Sequence, residues 1–140
     1  MRTTLPDRWP SLTAPDLDAF EQLGRTAFER LPESFRALTG DLVIRVADFA
    51  DKSALDDLGL DSPFELLGLF EGVGLTLSGG LAQTGQMPNQ IWLYRRPILD
   101  FWADTGNTLG DIVTHVLIHE IGHHFGLSDA DMEAIEAASD

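Results

Sequence analysis

Apolar residues recur at helical spacing from Asp16 to about Leu31, where Leu17, Phe20, Leu23, Ala27, Phe28 and Leu31 fall on one side. This predicts an amphipathic helix with a sheet to pack against. The period shortens at Leu42 to Ala47, where the β-branched Val43, Ile44 and Val46 predict a strand, and Ile91 to Arg95 predicts another. Between them, Ser53 to Leu60 and Pro63 to Phe70 read as short helices or turns. Gly72 to Leu77 reads as a strand near the sheet edge, and Ser78 to Gln90, with four glycines or prolines, as a loop. Ile98 to Ala103 suits a short helix and Thr108 to Phe125 a long one. Residues 1–14 are punctuated by proline and are expected to be flexible; no repeat or low-complexity tract appears.

The long helix is apolar with one polar seam. Leu109, Ile112, Val113, Val116, Leu117 and Ile121 sit at core-facing spacings, and histidines occupy the adjacent stripe. Gly122 lies inside it at a cost of about 1 kcal/mol against alanine, which either a neighbouring strand or substrate, or a close helix crossing, would explain. Gly126 is placed to adopt the left-handed conformation and stop the helix. Ser128-Asp129-Ala130-Asp131 then reads as a cap opening a last helix through about Ala138.

The polar seam carries the chemistry. A helix turns about 100° and rises about 1.5 Å per residue, so His119 and His123 lie roughly 40° apart, one turn along the same face. Two imidazoles there can converge on one Zn²⁺. Glu120 is offset from that face, close enough to hydrogen-bond a metal-bound water without ligating the metal. Catalytic zinc takes three protein ligands and an open position, and the reversal at Gly126 makes Asp129 the candidate third ligand. The competing reading of Asp129 is a first-turn carboxylate that complements the helix dipole. His115, four residues before His119, is a rival third ligand or a hydrogen-bonding partner of the site, and His124, rotated about 100° from His123, points away. Arg95-Arg96 either holds a substrate carboxylate, braces an acidic residue near the site, or forms ordinary surface salt bridges. Gly79-Gly80 forms no phosphate-binding motif.

The run His119-Glu120-Ile121-Gly122-His123-His124-Phe125-Gly126-Leu127-Ser128-Asp129 resembles the metzincin consensus H-E-x-x-H-x-x-G-x-x-H, with aspartate at the last position. Val116 to Ala134, Ser62 to Gly72 and Ile91 to Ile98 together are similar to the small acidic bacterial zincin-like metallopeptidases, a likeness covering most of residues 35–138. Met132 lies too near Asp129 to form the methionine turn of larger metzincins, so the resemblance implies a minimal zincin. It also implies an α+β fold, a small twisted mixed sheet packed by helices, with the long active-site helix near the C-terminus. An exposed edge strand, Gly72 to Leu77 being the candidate, would bind extended peptide by strand addition.

Composition narrows the remaining classes. At 140 residues and 44% apolar content, one domain over residues 1–140 is expected. The absence of cysteine excludes disulfides, thiolate zinc ligands and a cysteine switch. The formal charge, 9 basic minus 23 acidic residues giving −14, argues against nucleic acid as a partner. The acids are spread along the chain, which fits a solvated surface better than a steering field. No long apolar run predicts a membrane span, and the first fifteen residues do not read as a secretory signal, so a cytoplasmic protein is expected.

These readings converge on a zinc-dependent metallopeptidase acting on a peptide or protein substrate, with Zn²⁺ on His119, His123 and Asp129. Zinc lowers the pKa of bound water from about 15.7 to about 7, and Glu120 acts as the general base. The alternative is a non-catalytic, metal-stabilised interaction module with an inherited zincin motif. Against it stands Glu120, for which a structural site has no use.

Overall fold

The computed structural model describes residues 8–72 and 88–139. Helix α1 (Leu17–Glu29) begins where the Asp16 carboxylate accepts a hydrogen bond from the Ala19 amide at 2.8 Å. A single-turn helix α2 (Glu33–Arg36) leads into strand β1 (Leu42–Ala47), and α3 (Lys52–Leu58) follows. After a 3₁₀ turn at Pro63–Glu65 come strand β2 (Gly68–Glu71), strand β3 (Asn89–Tyr94) and helices α4 (Arg95–Asp104), α5 (Leu109–His124) and α6 (Asp129–Ala137).

The three strands make one mixed sheet in the order β1-β3-β2. β1 runs parallel to β3 in the register Leu42↔Asn89 to Ala47↔Tyr94, and β2 runs antiparallel to it from Gly68↔Leu93 to Glu71↔Gln90. Ile91 and Leu93 are fully buried in a core shared with Phe20, Leu117, Ile118 and Ile121 of α1 and α5. The α+β class expected from the sequence is therefore present, with six helices among the described residues. None of these helices is long and apolar enough to cross a membrane.

Two local expectations change. The segment Pro63 to Phe70, expected as a short helix or turn, is a turn only over Pro63–Glu65, where the Ser62 capping box closes a 3₁₀ turn, and the chain then extends. Burial of Gly68 and Phe70 with partial exposure of Leu69 gives the period of two that a strand requires. Its apolar residues thus serve two short elements. Among the described residues the edge strand is accordingly Gly68–Glu71; of the expected strand Gly72 to Leu77, Gly72 is outside any strand and the rest lies outside the described residues. Helix α4 also starts three residues before Ile98, because Pro97 sits within the first turn, where a missing amide hydrogen costs no helical bond.

Arg95 braces this junction. Its Nε donates to Asp48 at 2.7 Å at the end of β1, and its Nη1 donates to the Pro15 carbonyl at 2.9 Å ahead of α1. Arg96 lies over the Phe49 ring, 5.6 Å from its centroid. Both arginines of the basic pair are thus spent on the scaffold.

Candidate metal centre

Helix α5 positions the polar seam. It opens at Thr108, whose hydroxyl accepts from the Asp111 amide at 3.1 Å, and it buries Ile112, Val113, Val116, Leu117, Ile118 and Ile121. Registry of that apolar face fixes where His115, His119 and His123 emerge. Their rings form a row, with centroids 4.0 Å apart for His115 and His119 and 5.7 Å apart for His119 and His123. His124 leaves the row and packs on the Phe70 ring at 4.5 Å, beside Gly72.

The helix ends in a Schellman turn: the Gly126 amide donates to the His123 carbonyl at 3.2 Å and the Leu127 amide to the Gly122 carbonyl at 2.9 Å. Gly126 takes φ +78°, which a β-carbon would strain. The chain reverses and α6 starts at once, with the Ser128 hydroxyl accepting from the Asp131 amide at 3.0 Å and the Asp131 carboxylate reaching back to the Ser128 amide at 3.3 Å. α6 then packs back along α5, seating the fully buried Met132 over Gly122. Of the two explanations for Gly122, the close helix crossing is the one observed.

Glu120 is half-buried on the flank of the seam, against β2; a β-carbon on Gly68 would lie 3.8 Å from its Cγ. Burial raises its carboxyl pKa above the usual glutamate value, and His123 nearby opposes this more weakly. His119 is held below the ordinary imidazole value, first by burial and then by His115, with Glu136 and Asp129 pulling the other way. A histidine kept neutral is a histidine ready to ligate a metal.

Each candidate ligand has a definite place. His119 and His123 are adjacent on α5. Asp129 is the exposed first residue of α6, near enough for its charge to be felt at His119. Among the described residues, the His/Asp/Glu group of three whose donor atoms all lie within 4.8 Å of one another is His115, His119 and Glu136. His115 Nδ1 is 3.1 Å from both Glu136 oxygens, and His119 Nε2 is 3.8 Å from Oε1. Glu136 was not anticipated. It lies seven residues after Asp129 on a helix that the Gly126 turn sends back past the histidines, so its place comes from the packing of α6 on α5.

A cleft of about 610 Å³ opens on the His115 side of this group, with Leu67, Phe101, Ile112 and Val116 as apolar walls and Asp111 and Glu136 at polar positions.

A long helix bearing His119-Glu120-x-x-His123, laid across a small mixed sheet and closed by a glycine turn, defines the zincin-like class of architecture. The family model of zincin-like metallopeptidases matches residues 39–138, and the chain belongs to that family. No curated protein matches it significantly.

Proposed function

We propose that the chain is a zinc-dependent peptidase in which His119, His123 and Asp129 hold the metal and Glu120 is the general base. The donor set fits by residue type, since two imidazoles and a carboxylate are zinc chemistry; its three donors are not gathered within 4.8 Å of one another, as those of His115, His119 and Glu136 are. When bound, zinc supplies a Lewis acid that polarises a carbonyl and acidifies water.

The rest falls to the chain's own side chains. Glu120 takes a proton from the attacking water and returns it to the leaving amine, and its burial-raised pKa brings it closer to the neutral range where both transfers are efficient. β2, at the edge of the sheet among the described residues and beside Glu120, offers backbone groups to an extended peptide, and the cleft beside His115 accepts an apolar side chain of that substrate. The observation that carries this reading is the half-buried Glu120, set against Gly68 of β2 on the helix that carries His119 and His123.

The test is Glu120→Gln in protein loaded with one zinc per chain. Loss of peptide-library cleavage with zinc content unchanged supports the assignment; undiminished cleavage by the variant, or none by the wild type, rejects it. The second reading, a metal that only pins α6 to α5, draws on the donor group that bridges those helices. It expects chelation to lower the melting temperature in a protein that cleaves nothing.

A further inference from the structure

α5 and α6 form an antiparallel pair across the Gly126 turn, and each carries its donors in series. On α5, His115, His119 and His123 follow at intervals of one turn. On α6, Asp129 stands at the first residue and Glu136 near the last, about 10.5 Å further along the axis. The antiparallel run sets Glu136 beside His115 and leaves Asp129 at the His123 end. The central His119 turns its Nε2 toward Glu136 and also feels the charge of Asp129.

We propose that His115, His119 and Glu136 form a second divalent-metal site that shares His119 with the His119/His123/Asp129 set, so that a chain holds one ion in either place and never one in each.

The spacing suits a metal. Donors at about 2.0–2.1 Å from a tetrahedral zinc lie about 3.3 Å from each other, and the observed separations of 3.1 Å for His115 to Glu136 and 3.8 Å for His119 to Glu136 bracket that value. Little rearrangement is needed, because α6 is anchored by its Ser128 cap and by Met132 packed against Gly122. The group is also reachable: the side chains of His115, Glu136 and His119 are 54%, 36% and 24% exposed, and the cleft gives access from solvent. Exclusivity comes from assigning the same His119 nitrogen to both sets. His119 Nε2 is the nitrogen turned to Glu136, and one nitrogen cannot bind two ions. An ion in the second place therefore takes His119 away from His123, one turn along. Only this exclusivity rests on the peptidase reading; the second donor set stands without it.

Zinc alone is the probe, titrated into the full chain against a chelating dye. Wild type is expected to bind one zinc. His123→Ala/Asp129→Ala, whose positions are both exposed, is expected to keep one zinc, and adding His115→Ala or Glu136→Gln to it should weaken binding by at least on the order of 10- to 100-fold. His119→Ala should abolish both sites. A folded His123→Ala/Asp129→Ala protein without zinc overturns the proposal, as does one whose affinity ignores His115 and Glu136. Two zincs on the wild type overturn exclusivity. Circular dichroism checks folding, and His123→Ala alone replaces the double variant if that unfolds. Peptide cleavage is not part of the readout, so a wild type that cleaves nothing defeats the peptidase reading and leaves this result intact.

Discussion

Gly122 of α5 and Met132 of α6 meet so closely that no methyl group fits between them: a β-carbon on Gly122 would lie 2.5 Å from the Met132 sulfur and 2.9 Å from its Cγ. Met132 is fully buried and cannot swing into solvent. Gly122→Ala should gain about 1 kcal/mol of helix propensity and lose about 1–3 kcal/mol to overpacking, a net loss of up to about 2 kcal/mol. Because α6 carries both Asp129 and Glu136, zinc affinity should fall with it. Adding Met132→Ala, which alone leaves a cavity, should cost less in the Gly122→Ala background than in wild type; denaturant unfolding of the four proteins measures that coupling. Strict additivity would mean that the two side chains do not compete for the same space.

The cap at Ser128 ties stability to the site. Removing its hydroxyl in Ser128→Ala strands the Asp131 amide and breaks the reciprocal box, at a cost of about 0.5–2 kcal/mol. Fraying would start at Asp129, the first residue of α6. Zinc affinity should therefore drop further in Ser128→Ala than in a Ser139→Ala control, whose hydroxyl donates to the Ile135 carbonyl at the other end of the helix. Equal affinity in the two variants would show that the start of α6 does not set the geometry of the site.

Much of this was legible in the chain. Thr108, Gly126 and Ser128 are punctuation read from residue type, and the helices they bound fall where spacing put them. The seam of histidines beside an apolar face was equally plain. The edge strand was obscured because Phe64, Leu66, Leu67, Leu69 and Phe70 form a dense apolar run, and density does not distinguish a helix from two short elements. Glu136 escaped for a different reason. Its role depends on α6 running back along α5, a tertiary relation that spacing within one helix cannot express. Arg95 likewise has partners 47 and 80 residues away.

Tyr94, the sole tyrosine, closes β3 with its side chain buried. Burial pushes its phenol up to about 12 from 10.0, helped by the charges of Glu71, Asp51 and Glu120. Absorbance of tyrosinate should therefore titrate near 12 in the folded protein and near 10 in denaturant. The sign for stability follows: the folded state holds the proton more tightly, so stability is lost as pH rises from about 10 to about 12. Tyr94→Phe should remove that part of the slope. A folded-state midpoint near 10 would place the hydroxyl in water.

Gly68 is where β2 presses on the histidine-bearing helix α5. A β-carbon there would meet Val116 Cγ1 at 2.5 Å and the Trp92 carbonyl oxygen at 2.9 Å, with Glu120 Cγ just beyond. The side chain can yield; the carbonyl belongs to the ladder that pairs β2 with β3 and cannot. Gly68→Ala should therefore cost about 1–3 kcal/mol, and Val116→Ala in the same chain should recover only part of it, because the clash with backbone remains. The displaced strand would also admit water to Glu120, and losing burial lowers a carboxyl pKa toward its ordinary value. The acidic limb of the pH–rate profile for peptide cleavage should shift to lower pH in Gly68→Ala, measured at saturating zinc. A variant as stable as wild type with an unshifted limb would show that β2 neither presses on α5 nor shields Glu120.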